Sequence, residues 1–345
     1  MAVYALSQRN KETYDAAGKA IRDVYSVLGE FGSRLIWSMP KNCSKFLKVL
    51  DLPYLVLFLL CAAGKKDSIF YSIPENGIKI KLIKKIQKIK KYQIVCFVND
   101  INAFRYGAFD SPEVQQRMAS EIELIACADL VIAPNKNTEK LFREHGVQSQ
   151  IVTTGVWDYL MDDVAERKSQ TEDNKIKIAF AGNLNKSEFL WKLQEMPGIS
   201  YELWGKLDAD KAPLPTCCNY HGVLPADEVP RAIATCDYGL VWDGTGADVI
   251  EGGLGEYLRY NNSHKCGLYL AAGLPAIVWD ESGMSDFIKK NECGLCIHGL
   301  SELESAVKNC DYEKVQKCVD KVGTNIRKGE YLRKAFRMID TENGK

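Results

Sequence analysis

The sequence predicts an α/β protein built as two doubly wound, Rossmann-like parallel-sheet domains that face each other across a cleft. Three observations lead there. Short apolar runs of strand length alternate with stretches long enough for crossover helices, which is the pattern of a parallel sheet covered on both faces. The alternation stops at a polar, highly charged segment and then begins again. The chain has 345 residues, enough for two domains that each bury a core.

Taken in order, Val3–Leu6 is the first strand, and Ser68–Ser72, Ile94–Val98, Leu130–Ala133 and Ile151–Thr153 continue the first sheet. The most apolar run, Leu52–Ala63, is about a dozen residues against the roughly 20 needed to cross a bilayer, so it reads as a buried or interfacial helix. Lys79, Lys81, Lys84, Lys85, Lys88, Lys90 and Lys91 surround Ile80, Leu82, Ile83, Ile86 and Ile89, which makes 78–91 a basic amphipathic helix. Such a helix is either an outer helix with a solvated lysine face or a surface for anionic lipid. Residues 1–160 form the first domain, and 161–174, polar and without apolar periodicity, is the linker.

The second domain spans 175–325. Lys175–Ala181 is a strand running into the Gly182-Asn183 turn, Ser187–Leu193 a helix, Tyr201–Gly205 a strand, Ala226–Thr235 a helix, and Tyr238–Trp242 and Ala276–Trp279 further strands. Between Trp242 and His264 lies a glycine-rich acidic loop containing Gly244, Gly246, Gly252, Gly253 and Tyr257, and its length and position suit a lid. Residues 326–345, with the helix Tyr331–Met338, pack back toward the first domain.

Composition narrows the function. Lys plus Arg and Asp plus Glu are both 45, for a formal net charge of +0, so no global field draws the chain to nucleic acid. The twelve cysteines are spread over strands and helices, and Cys61, Cys96, Cys127, Cys236 and Cys266 sit among apolar residues; they read as small core side chains in a reducing cytosol. Cys293 and Cys296 have the spacing of half a zinc site, but no second such pair exists. Met1–Leu6 reads as a strand and not as a leader, so with the cysteines the chain is expected in the cytoplasm, and the basic helix over 78–91 adds the inner membrane face as an expected place of work.

The most informative stretch is 261–278: a polar loop, a small-residue helix, a glycine stop and a buried strand. Ser263 can cap that helix, whose N–H groups and positive dipole end favour an anion, with Asn262 before it and His264 and Lys265 in its first turn. Ala271, Ala272 and Gly273 suit a close helix approach, and Pro275 prevents continuation.

These features, together with Phe97-Val98-Asn99-Asp100-Ile101, Ala128–Asn135, Gly155–Tyr159 and Phe180–Leu184, make the chain resemble the GT-B glycosyltransferases. More narrowly, it resembles the bacterial family of adhesin-glycosylating glucosyltransferases and β-1,6-galactofuranosyltransferases. Two departures stand out. The glutamate pair that many GT-B enzymes place on the donor ribose is not evident, and Asn99 stands where relatives often carry histidine. The resemblance implies a metal-independent UDP-sugar hexosyltransferase with no resident cofactor, the donor in the second domain and the acceptor in the first. Galactofuranose is the implied sugar, and the implied acceptor is a surface glycan or one carried on a membrane-bound polyprenyl diphosphate. Homo-oligomerisation is expected as well.

Sugar transfer needs the charge of the departing diphosphate neutralised. Lys265 and Lys186 are the candidate cations, with Gly182, Asn183, Asn262, Ser263 and His264 around the donor; the plain alternative for each lysine is a solvated surface charge. An acceptor hydroxyl needs a base, for which Asp100, at the end of a buried strand, is the first candidate and Asp158 the second. A helix cap or loop ion pair is the alternative for Asp100, and Trp157 reads as packing. His145, His221 and His298 show no partner pattern. Asp208-Ala209-Asp210 matches a metal-binding carboxylate signature, but it lies in a polar turn flanked by lysines. Three rival functions remain: a non-catalytic sugar-nucleotide-binding subunit, a glucosyltransferase acting on a glycosylated adhesin, and a nucleotide-sugar epimerase.

Overall fold

The structure is a computed structural model that describes residues 2–6, 16–37, 50–105, 107–162 and 175–341. Most of the expected linker, 163–174, lies outside the described residues. Two six-stranded sheets form the frame, each parallel at every strand pair.

In the first sheet the order is β2-β1-β3-β4-β5-β6, where β1 is Val3–Leu6, β2 Arg34–Ile36, β3 Ser68–Ile73, β4 Gln93–Val98, β5 Leu130–Ala133 and β6 Gln150–Thr153. Strands β3 and β4 are buried along their whole length, as expected where helices cover both faces. Alternate side chains divide between two cores. Ile69, Tyr71, Ile94 and Cys96 pack with helices α2 (Asp51–Cys61), α3 (Gly77–Lys90), α4 (Pro112–Ile125) and α5 (Lys136–Glu144). Phe70, Val95 and Phe97 face the other way, onto α1 (Ala16–Glu30) and the last helix of the chain, Glu330–Thr341.

That last helix belongs by sequence to the second half but packs on the first sheet. Phe336 lies edge-on to Phe70 at 5.9 Å and near Phe97 at 6.1 Å. The Arg333 guanidinium clasps Glu30 of α1 with two 2.7 Å hydrogen bonds.

The second sheet has the order β12-β11-β10-β7-β8-β9, with β7 Ile176–Ala181, β8 Ile199–Trp204, β9 Cys218–Tyr220, β10 Tyr238–Val241, β11 Ala276–Trp279 and β12 Gly294–Ile297. The chain runs outward from β7 in one direction and from β10 in the other, so the order reverses between β7 and β10. In open α/β sheets, ligands bind outside the carboxyl ends of the strands at such a reversal.

Several elements differ from expectation for local reasons. Strands β2 and β9 are three-residue edge strands, too short to show alternation. The helix expected over 187–193 is the 3-10 helix Glu188–Lys192, and the one over 226–235 shrinks to α6, Val229–Ile233. Among the remaining helices are α7 (Gly253–Tyr257), α8 (His264–Ala271) and α11 (Tyr312–Arg327). Ala271 and Ala272 are buried against α11, where a Cβ on Gly323 would overlap the Leu270 carbonyl, and a further close approach lies at Gly267, where a Cβ would overlap the Trp157 carbonyl. Gly273, at φ 83°, ends α8 in the left-handed region open to glycine.

Candidate functional site

Helix α8 starts at the strand-order reversal. Its Tyr269 hydroxyl accepts a 2.9 Å hydrogen bond from the Ala181 N–H at the end of β7, and Gly239 of β10 lies so close to that ring that a Cβ would overlap it. This docking sends Lys265 over the carboxyl ends of both central strands. Its Nζ lies 2.8 Å from Asp243 Oδ2, just beyond β10, and 5.0 Å from the centre of the Phe180 ring. A Cβ on Gly182, just beyond β7, would come within 3.0 Å of Lys265 Cε. Gly205, beyond β8, sits at φ 137°, and a Cβ there would overlap the Gly182 carbonyl. Glycines thus keep side chains away from the backbone around the ammonium. The lysine side chain is 16% exposed and its carboxylate partner 23%, so the charge is accessible but weakly screened.

The other predicted donor residues divide. Asn183 and Lys186 are exposed in the turn after β7, and Asn183 provides no side-chain cap. Ser263 is buried at the start of α8 without capping it through its hydroxyl, contrary to the expected cap. His264 stacks on Trp157 at 4.3 Å between ring centres, and burial, with the Lys19 ammonium nearby, pushes its pKa down to about 3. It is a neutral packing ring at physiological pH.

Asn262 is used elsewhere. Buried at 4% exposure, it donates from Nδ2 to the Pro134 carbonyl at 2.7 Å and accepts at Oδ1 from Asn135 Nδ2 at 3.0 Å. Asn135 Nδ2 also donates to the Tyr260 carbonyl at 2.8 Å. These bonds bind the second domain to the loop after β5, so the amide of Asn262 is spent on the domain junction rather than offered to a donor.

Asp100 sits two residues beyond β4, half-buried, on the first-domain side of the junction. The glycine-rich loop meets it there. Tyr257 donates its hydroxyl hydrogen to Asp100 Oδ1 and accepts from the Ile101 N–H at 2.8 Å. Phe104, Phe109 and Tyr260 stack beside it with ring centres 5.2–5.6 Å apart. Gly253 approaches the Phe104 and Gly107 carbonyls too closely for a Cβ. Within the loop, the Trp242 indole donates to the Gly246 carbonyl at 3.0 Å and the Thr245 N–H to the Glu251 carbonyl at 3.2 Å. Gly244 and Gly252 take φ values of 95° and 79°. The expected lid is therefore an internally bonded strap: residues 244–251 stay on the second domain, where the Leu300 N–H bonds the Ala247 carbonyl at 3.0 Å and the Ser301 N–H bonds Asp248 Oδ1 at 2.7 Å, and Gly253 and Tyr257 reach the first domain.

Asp158 is corrected. It is 1% exposed and accepts a 2.6 Å hydrogen bond from the Leu332 N–H, capping α12, the terminal helix Glu330–Thr341. Burial pushes its carboxyl up to about 8 against the pull of the Leu332 and Tyr331 N–H groups. A carboxylate closed under a helix start has no path to an acceptor hydroxyl.

One constellation was missed by sequence reasoning. Glu202 on β8 is buried and accepts from His221 Nε2 at 2.6 Å, Asn219 Nδ2 at 2.9 Å and Ser200 Oγ at 3.0 Å, while His221 stacks on Trp204 at 4.6 Å. Burial raises the Glu202 carboxyl, but these three donors outweigh it and hold it below the usual value. The signal was the i, i+2 spacing of Ser200 with Glu202 and of Asn219 with His221, on two strands that pair Glu202 with Asn219.

Among the described residues, Asp280, Glu281 and His298 are near enough to share a cation, but Glu281 is taken by Arg259 and Asp280 lies 3.4 Å from His298 Nδ1. Asp208 pairs with Lys206 at 3.2 Å. Cys293 and Cys296 gain no further metal-ligating neighbours there.

Comparison with known proteins decides the family. The profile for the glucosyltransferase 3-like N-terminal domain matches residues 3–156, and that for the glucosyltransferase 3-like C-terminal domain matches 178–339. The chain belongs to the glucosyltransferase 3-like family. It is 25% identical over 335 residues to the beta-1,6-galactofuranosyltransferase WbbI of Escherichia coli K12, covering 96% of each chain. It is also 25% identical over 271 residues to glucosyltransferase 3 of Streptococcus gordonii, covering 76% of this chain and 75% of that one. Among solved structures, Anabaena HepE in complex with UDP-glucose superposes with a TM-score of 0.54 at 15% identity, covering 100% of this chain and 98% of that one. Sucrose-phosphate synthase from Thermosynechococcus elongatus gives 0.55 at 12%, covering 99% and 97%. The fold is GT-B and the protein is a glycosyltransferase. No described helix is long and apolar enough to cross a membrane.

Proposed function

We propose that this glycosyltransferase moves a hexosyl unit, galactofuranose, from a UDP-sugar to a surface-glycan or lipid-linked acceptor without a metal ion. The observation that carries the reading is the Lys265 ammonium, held over Gly182 and Asp243 at the strand-order reversal of the second sheet. A diphosphate lying there meets a fixed, poorly screened cation and close backbone, which stabilises the charge that develops as the anomeric bond breaks. Lys186, in the neighbouring turn, supplies a second cation. Asp100 accepts the proton of the acceptor hydroxyl. The galactofuranose assignment leans on the likeness to WbbI, which extends over nearly the whole of both chains.

A carrier-linked acceptor would bring the first domain to a lipid surface. Leu57 and Leu60 of α2 and Ile78 and Ile89 of α3 are exposed, and Lys81, Lys85 and Lys88 lie on the exposed side of α3. Apolar side chains interspersed with lysines suit anionic headgroups, and self-association is part of the same reading. Incubation with UDP-galactofuranose or UDP-glucose tests the reaction. Release of UDP that depends on a glycan acceptor supports transfer, and conversion of donor alone would point to epimerisation. Binding without turnover of either donor would refute the proposal.

A further inference from the structure

We propose that Tyr257 is a positioning residue for the acceptor carboxylate, with its hydroxyl, carried on the donor-domain strap, orienting Asp100 in the first domain. The inference rests on the reading of Asp100 as the acceptor base.

Three observations support it. Tyr257 is 4% exposed, so its hydroxyl is committed to its partners rather than to water. It accepts from the Ile101 N–H at 2.8 Å, and that leaves its own hydrogen for Asp100 Oδ1. The ring is wedged against Phe104, 5.2 Å away, while Gly253, one helical turn earlier, fits against the Phe104 and Gly107 carbonyls as no residue with a Cβ would. The phenol is thus fixed in direction as well as in place. A carboxylate that gives one oxygen to a fixed donor presents the other in a defined orientation, which a base needs to meet an acceptor hydroxyl.

The strap that carries Tyr257 begins at Asp243, the partner of Lys265. The same internally bonded loop therefore reaches the proposed diphosphate cation at one end and the acceptor carboxylate at the other. Acceptor geometry then depends on the two domains standing as they do here, since the donor of the orienting hydrogen bond comes from the opposite domain.

The test is Tyr257→Phe, which keeps the ring against Phe104 and removes only the hydroxyl. Loss of a hydrogen bond to a charged group should lower kcat by roughly 10- to 100-fold, with the Kd for UDP unchanged by calorimetry. In the Asp100→Asn background the same substitution should cost little more, because the group it orients is already gone. If Tyr257→Phe proves unstable, 3-fluorotyrosine incorporated at position 257 retains shape and hydroxyl and should retain turnover. Unaltered kcat in Tyr257→Phe while Asp100→Asn is impaired, or equal losses in both backgrounds, would overturn the positioning role. An Asp100→Asn enzyme with normal turnover would instead overturn the reading of Asp100 itself, and the positioning role with it.

Discussion

Replacing Lys265 with alanine should weaken UDP binding, and the structure sets the scale. The ammonium is 16% exposed, so solvent screens it little, and it sits where the diphosphate is proposed to lie. A hydrogen bond to a charged group contributes about 1.5–3 kcal/mol net, and each 1.4 kcal/mol is a factor of ten, so Kd should rise roughly 10- to 100-fold. The Asp243 carboxylate, 2.8 Å from the ammonium, is left uncompensated in the variant and would repel the ligand, which pushes the loss toward the upper end. Lys265→Ala/Asp243→Ala should therefore bind UDP more tightly than Lys265→Ala alone, although it lacks more side-chain atoms. Calorimetric titration with UDP at neutral pH measures both. An unchanged Kd in the single variant, or no recovery in the double, would refute the argument that this ammonium faces the diphosphate.

Asp100→Asn should lower turnover while leaving the Kd for UDP intact, read by steady-state UDP release beside calorimetry. Asp158→Asn should leave turnover intact. The folded carboxyl is raised from 3.8 to about 8, so the native state binds more protons than the unfolded chain between those values and the wild type loses stability as pH rises through that window. Melting curves should show that decline in the wild type and a flatter profile in Asp158→Asn, whose amide oxygen still accepts from the Leu332 N–H. His264 works with the opposite sign: its pKa falls from 6.5 to about 3, so its contribution is present above pH 6.5 and fades as pH falls, and its ring resonances should not titrate between pH 5 and 8. Asn262→Ala removes two hydrogen bonds at the domain junction, while the Pro134 carbonyl keeps the Gly155 N–H at 2.8 Å and the Asn135 amide keeps the Tyr260 carbonyl at 2.8 Å; at about 0.5–1.5 kcal/mol for each bond lost it should lower Tm by a few degrees in scanning calorimetry.

What could be read from the sequence follows the range of the interactions involved. The buried strands of both sheets declare themselves as unbroken apolar runs, and α8 with its glycine stop is a local pattern, so Lys265 could be placed near the strand ends without coordinates. Edge strands β2 and β9 carry no such run, and the Glu202–His221 pair across β8 and β9 was hidden with them. Asp158 was the second candidate base, whereas the helix start it caps lies 174 residues later in the chain. Asn262 looked like part of the donor site because it precedes Ser263 and Lys265, whereas its amide partners stand 127 and 128 residues away in the other domain. Tyr257 was legible as part of a glycine-rich loop, but the carboxylate it meets was not, because nothing local in a sequence reports a contact between domains.

The most direct test of the account is a crystal structure with UDP bound. It should show the diphosphate within hydrogen-bonding distance of Lys265 Nζ, over Gly182 and the start of α8, with the Asp243 carboxylate turned aside or sharing the ammonium. A diphosphate bound away from the reversal between β7 and β10, with the Lys265–Asp243 pair undisturbed, would contradict it.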